Sequence, residues 1–175
     1  MPAQAYAFPN GVATGGTTCE TGGCHGLASE AVTTTLSGPS SMLTGATATY
    51  TVFITQAGAG AGVDVARAGL AGATLGDIET NTKIKTGEIV HSNAATGLPT
   101  GNLGDWSYNF TLTAPGTLGT IVLNAVMNAY DGLGDETGDL WDAVSLNVEV
   151  VPEPSTILLL ATGMAGLAAL GRRRP

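Results

Sequence analysis

The chain has 175 residues, 43% of them apolar and 11% charged, with 26 glycines and a formal charge of −8. This composition excludes a collagen repeat and a coiled coil, and a positive mean hydropathy supplies enough apolar surface to offset the entropy of ordering. Setting aside Glu153 and the three terminal arginines leaves 13 acidic residues against Arg67, Lys83 and Lys85, a net charge of −10 that excludes nucleic acid as a partner.

Residues 1–7 read as a signal-peptide remnant. Ala5-Tyr6-Ala7 has the small-x-small pattern of a signal-peptidase site. The basic and apolar regions that normally precede such a site are expected upstream, with the mature chain beginning near Phe8. Residues 8–30 form an N-terminal segment holding both cysteines, in Cys19-Glu20-Thr21-Gly22-Gly23-Cys24-His25. One reading is a Cys19–Cys24 disulfide, natural in an oxidising exported setting and worth about 2 kcal/mol for so short a loop. The other is covalent haem c, with both thiols bonded to the vinyl groups, His25 as proximal ligand, and His91, Met42 or Met127 as distal ligand. The Cys-x4-Cys-His spacing is longer than the usual Cys-x2-Cys-His. Zinc on Cys19, Cys24, His25 and His91 lacks the spacing of a ribbon or a finger.

Residues 31–151 carry the period-2 alternation of strands with one buried face. In chain order the expected strands are 32–36, 48–55, 63–68, 87–91, 106–113, 120–130 and 144–150. Ala48, Tyr50, Val52 and Ile54 alternate with threonines, Phe53 being the exception. Trp106, Tyr108, Phe110 and Leu112 alternate with Ser107, Asn109, Thr111 and Thr113, and Pro115 stops that strand. Residues 120–130 put Ile121, Leu123, Ala125 and Met127 on one side and Val122, Asn124, Val126 and Asn128 on the other, the pattern of a central strand. About seven short strands over roughly 120 residues predict an all-β, Ig-like antiparallel sandwich. Residues 58–62 and 96–104 are expected loops. Gly58-Ala59-Gly60-Ala61-Gly62 lacks the third glycine of a dinucleotide fingerprint.

An acidic stretch follows, with Asp131, Asp135, Glu136, Asp139 and Asp142 on a glycine-rich loop between two strands. Its plain reading is a solvated loop. As a hard-oxygen site for Ca²⁺ it would use Asp131, Asp135 and Asp139, though not in EF-hand order. No Gly-x-Ser-x-Gly elbow, His-Glu-x-x-His helix or P-loop occurs, and nine aromatic residues are few with which to line a saccharide cleft. The expectation is a protein that is not an enzyme and has no cofactor, haem c and Ca²⁺ being the alternatives.

The chain ends in Pro152-Glu153-Pro154-Ser155, a 15-residue apolar run over 156–170, then Gly171 and three arginines. As a helix the run spans about 22 Å, short of the ~30 Å hydrocarbon core, and the arginines obey the positive-inside bias. Residues 152–175 closely resemble the PEP-CTERM sorting signal. That resemblance implies export from a Gram-negative cell, a single hydrophobic transmembrane helix as temporary inner-membrane anchor, and exosortase recognition of Pro152, Glu153 and Pro154. A second resemblance covers residues 8–150. The order Cys24-His25, Leu36-Ser37-Gly38-Pro39, Tyr50-Thr51-Val52, His91-Ser92, Trp106-Ser107-Tyr108-Asn109-Phe110, Ala114-Pro115 and Gly138-Asp139 is similar to the choice-of-anchor V proteins. It implies a surface β-sandwich related to the Reeler domain.

Together these readings predict an exported cell-surface or matrix protein, of the kind found in biofilms, that binds extracellular polysaccharide or protein. Its partners in sorting would be the export machinery and the exosortase. The alternative is an exported monohaem, c-type cytochrome-like domain for electron transfer or haem binding.

Overall fold

The computed structural model describes residues 29–55, 60–92, 105–130 and 138–153, together with Thr162 and Met164. Ten strands occur among these residues: β1 (Thr34–Ser37), β2 (Ser41–Leu43), β3 (Thr47–Ile54), β4 (Gly60–Gly69), β5 (Thr74–Asp77), β6 (Thr82–Lys85), β7 (Glu88–His91), β8 (Trp106–Thr113), β9 (Gly119–Tyr130) and β10 (Leu140–Val151). They form two sheets. One has four strands in the order β1-β3-β8-β5, the other six in the order β2-β10-β9-β4-β7-β6. All pairings are antiparallel except β2 with β10.

The alternation read from the sequence sets which face is buried. Tyr50, Val52 and Ile54 of β3 oppose Phe110, Tyr108 and Trp106 of β8, and this face meets Ile121, Leu123, Ala125 and Met127 of β9 in one core cluster. The Tyr50 and Phe110 rings stack at 5.8 Å between centroids, a separation at which aromatic pairs attract beyond their buried area. The outward face of the two central strands of this sheet is threonine, serine and asparagine except at Phe53, which opposes Ser107, and the Thr47 and Thr113 hydroxyls lie 2.8 Å apart across the β3–β8 pair.

Polar side chains tie the two sheets together. The Tyr108 hydroxyl on β8 donates to the Ala61 carbonyl on β4 at 2.8 Å. The Asp142 carboxylate on β10 accepts from the Thr34 backbone N–H on β1 at 2.7 Å, and the Thr34 hydroxyl donates to the Asp142 carbonyl at 3.3 Å.

Three expectations are corrected. β2, β5 and β6, of three or four residues each, are strands additional to the expected seven. Second, the glycine loop over 58–62 is strand from Gly60 onward; there a Cβ would overlap the Tyr130 ring of the paired strand β9, so glycine is the residue that lets that ring lie across β4. Third, the acidic stretch is shorter than it reads, because Trp141 and Asp142 belong to β10 and Asp142 spends its carboxylate on Thr34. The expected loop over 96–104 lies outside the described residues.

The β6–β7 connection is a two-residue hairpin turn. Thr86 (φ 52°) and Gly87 (φ 87°) both have positive φ, the conformation of a type I′ turn whose twist matches the flanking strands.

Candidate functional site

The strand directions sort the chain's chemistry into two ends. β10 begins, β9 ends and β4 begins at one of them, which we call the entry end, because the chain joins the fold there. The Ser29 N–H donates to the Trp141 carbonyl at 3.0 Å. At the other, exit end, β10 finishes beside the start of β9 and the end of β2, in the pairs Val150–Gly119 and Val151–Leu43.

Cys19, Cys24 and His25 lie outside the described residues. Of the three residues considered as distal ligands, His91 and Met127 lie toward the entry end. Both are buried, with His91 Nδ1 3.4 Å from the Val63 carbonyl oxygen. Met42 opposes Val150, nine residues along β10 from Trp141, about 30 Å away. Its sulfur receives the Tyr50 hydroxyl at 3.3 Å, so it is committed to the core at the exit end.

Of the three carboxylates considered for Ca²⁺, Asp131 and Asp135 lie outside the described residues. Asp139 receives the Asn128 side-chain amide at 3.4 Å. Among the described residues no group of three or more His, Cys, Asp or Glu side chains converges as a metal site.

The sorting segment is the best-defined candidate. The sandwich grips β10 through its last residues: the Glu149 N–H donates to the Ser40 carbonyl at 2.9 Å and the Thr44 N–H to the Val151 carbonyl at 3.1 Å. On the other side the Thr120 hydroxyl donates to the Glu149 carboxylate at 2.8 Å. Val148 and Val150 are buried, whereas Pro152 and Glu153 are exposed. The chain therefore passes from a doubly paired strand to accessible backbone within two residues. Pro154 lies outside the described residues. So does the apolar run over 156–170, apart from Thr162 and Met164, which are helical and exposed. Among the described residues no helix is long and apolar enough to cross a membrane.

Residues 150–174 match the PEP-CTERM protein-sorting motif. The match begins at the buried Val150, so the sorting segment is continuous with the last strand of the sandwich. The motif implies export from a Gram-negative cell through a membrane-anchored intermediate, with processing by an exosortase. Among solved structures the chain is similar to a CARDB domain from Pyrococcus furiosus in complex with di-metal ions, at 18% identity over 70% of this chain and 94% of that one, with TM-score 0.39. It is also similar to an ASH/PapD-like domain of human CEP192, at 13% identity over 69% of this chain and 87% of that one, with TM-score 0.34. A third is the C-terminal domain of the Streptococcus agalactiae AgI/II polypeptide BspA, at 14% identity, 70% of this chain, 50% of that one and TM-score 0.37. Comparison with curated proteins gave no match.

Sequence reasoning missed the exit end as a unit. Leu43, Leu118 and Val151 are exposed there, at 38%, 57% and 37%. In the sequence each stands alone in a turn or at a strand end, and only the sheet topology collects them.

Proposed function

We propose that this chain is an exported cell-surface or matrix β-sandwich protein with a binding or structural role toward extracellular polysaccharide or protein, and that it is not an enzyme. Residues 156–170 serve as a transient inner-membrane anchor, and Pro152, Glu153 and Pro154 are what the exosortase recognises. The observation that carries the reading is the passage from β10 to the sorting segment. The strand is held on both edges at Val150 and on the β2 edge at Val151, and Pro152 and Glu153 follow at once, exposed. A processing enzyme can therefore reach them without unfolding the sandwich. Folding ahead of cleavage is also favoured by the order of the chain, since the last strand precedes the anchor.

The finer resemblance to choice-of-anchor V proteins belongs to the same reading. Its Tyr50-Thr51-Val52 and Trp106-Ser107-Tyr108-Asn109-Phe110 segments fall on the paired strands β3 and β8, the two central strands of the four-stranded sheet.

Membrane fractionation in a host with a matching exosortase tests this function. The unaltered chain is expected to leave the inner-membrane fraction, and Glu153→Ala to accumulate there at full length. Equal release of the two would show that residues 152–154 are not read and would refute the proposal.

A further inference from the structure

The two ends of the sandwich differ in charge. The turns at the exit end are residues 38–40, 44–46, 70–73 and 114–118, and none contains Asp, Glu, Lys, Arg or His. The entry end carries Glu30, Asp105 and Asp139, and the sequence joining β9 to β10 adds Asp131, Asp135 and Glu136. The uncharged turns are joined to one another. The Gly45 N–H donates to the Pro115 carbonyl at 3.2 Å, Ala114 N–H to Ala46 at 2.8 Å and Leu70 N–H to Thr120 at 3.0 Å. Leu43 and Val151 are register partners, and Leu118 directly precedes Gly119, the partner of Val150. Three exposed apolar side chains thus lie together at the point where the chain leaves for its tail.

We infer that this end is a lipid-docking face, seated in the headgroup layer of the membrane that holds residues 156–170. The inference rests on the anchor reading above. Four residues, 152–155, separate Val151 from the apolar run. Two are prolines, and at the ~3.1 Å per residue of a proline-rich spacer the gap is about 16 Å. The polar layer on each side of a bilayer is roughly 5–8 Å deep, so an anchored chain cannot hold this end far from lipid. The apolar run is itself about 8 Å shorter than the hydrocarbon core, which draws its flanks inward. The tether fixes the orientation, and the charge of the turns agrees with it. An acidic body is repelled by anionic headgroups, and the turns facing them hold no carboxylate, the nearest acids being Glu149, which accepts from the Thr120 hydroxyl, and Glu153 in the spacer. Leu43, Leu118 and Val151 then enter the interface, and the acidic end points away.

The test uses the full chain in vesicles of mixed phosphatidylcholine and anionic phosphatidylglycerol, with or without brominated acyl chains. A Trp106→Phe, Trp141→Phe background is given either Leu118→Trp or, as a tail reporter, Leu160→Trp. The indole at position 118 is expected to lose about half its emission to bromolipid, a depth at the edge of the hydrocarbon. The indole at 160 is expected to lose more. Quenching at 160 with none at 118 overturns the docking face and leaves the anchor standing. No quenching at either position overturns both. In case the double background disturbs the fold, amide exchange on the unaltered chain gives a second measure. Vesicles are expected to slow Gly45, Gly116 and Thr117 about threefold relative to Glu30 and Gly138, and uniform exchange contradicts the inference.

Discussion

Tyr108→Phe removes the hydroxyl that joins the two sheets and leaves the ring in place. At neutral pH the lost bond to the Ala61 carbonyl costs about 1–1.5 kcal/mol, the net worth of a buried hydrogen bond plus part of the penalty for an unsatisfied partner. The same hydroxyl has its pKa raised from the ordinary value of 10.0, first by burial and then by the neighbouring charges of Tyr130 and Glu79. In the folded state it therefore stays protonated where the unfolded chain ionises. A group with a raised folded pKa stabilises fully below its unfolded pKa, and that contribution falls as pH rises past it. At pH 11, one unit above the unfolded value, Tyr108 alone takes about 1.4 kcal/mol from the stability of the unaltered chain. The phenylalanine variant has no such proton to lose. Urea unfolding followed by tryptophan emission at pH 7.5 and pH 11 should show the variant weaker at the lower pH and nearly equal at the higher. A penalty of the same size at both pH values would refute the buried, protonated tyrosine bridge.

Three further outcomes are expected. Asp142→Ala should cost about 1.5–3 kcal/mol, the range for a hydrogen bond to a charged group, with Asp142→Asn losing less because its amide oxygen still accepts from the Thr34 N–H. A loss under about 0.5 kcal/mol in denaturant titration, typical of a surface change, would show that the β1–β10 tie carries no weight. Gly38→Ala should cost about 1–3 kcal/mol, because a Cβ there overlaps the Tyr50 ring, and an unchanged melting temperature would contradict the close approach. Cys19→Ala should leave the visible spectrum flat if Cys19 and Cys24 form a disulfide and should abolish a Soret band if they hold haem. Intact mass of the unaltered chain, made with cytochrome maturation genes, separates the two by a loss of two hydrogens or the gain of a haem.

The long strands were legible because alternation over eight or more residues fixes a face. β3, β8, β9 and β10 bury the sides that the pattern marks. β2, β5 and β6 offer too few residues for a period to register, and they exist because neighbouring strands present edges to them. Gly60 reads as loop since glycine weakens a strand, yet the Tyr130 ring requires it. Asp142 reads as part of an acidic loop because composition does not reveal that Thr34 offers a backbone N–H from the facing sheet. The sorting segment was legible as a linear signal, with proline, carboxylate, apolar run and arginines in order. The docking face was not, because its residues come from two strand ends and a turn up to about a hundred positions apart, at Leu43, Val151 and Leu118.

The most direct test of the account is the intact mass of the exported chain recovered from a host that carries a matching exosortase. The account predicts a folded product that retains the sandwich through Val151 and has lost the apolar run and arginines by cleavage near residues 152–155. Recovery of the chain outside the cell with residues 156–175 still attached would contradict it.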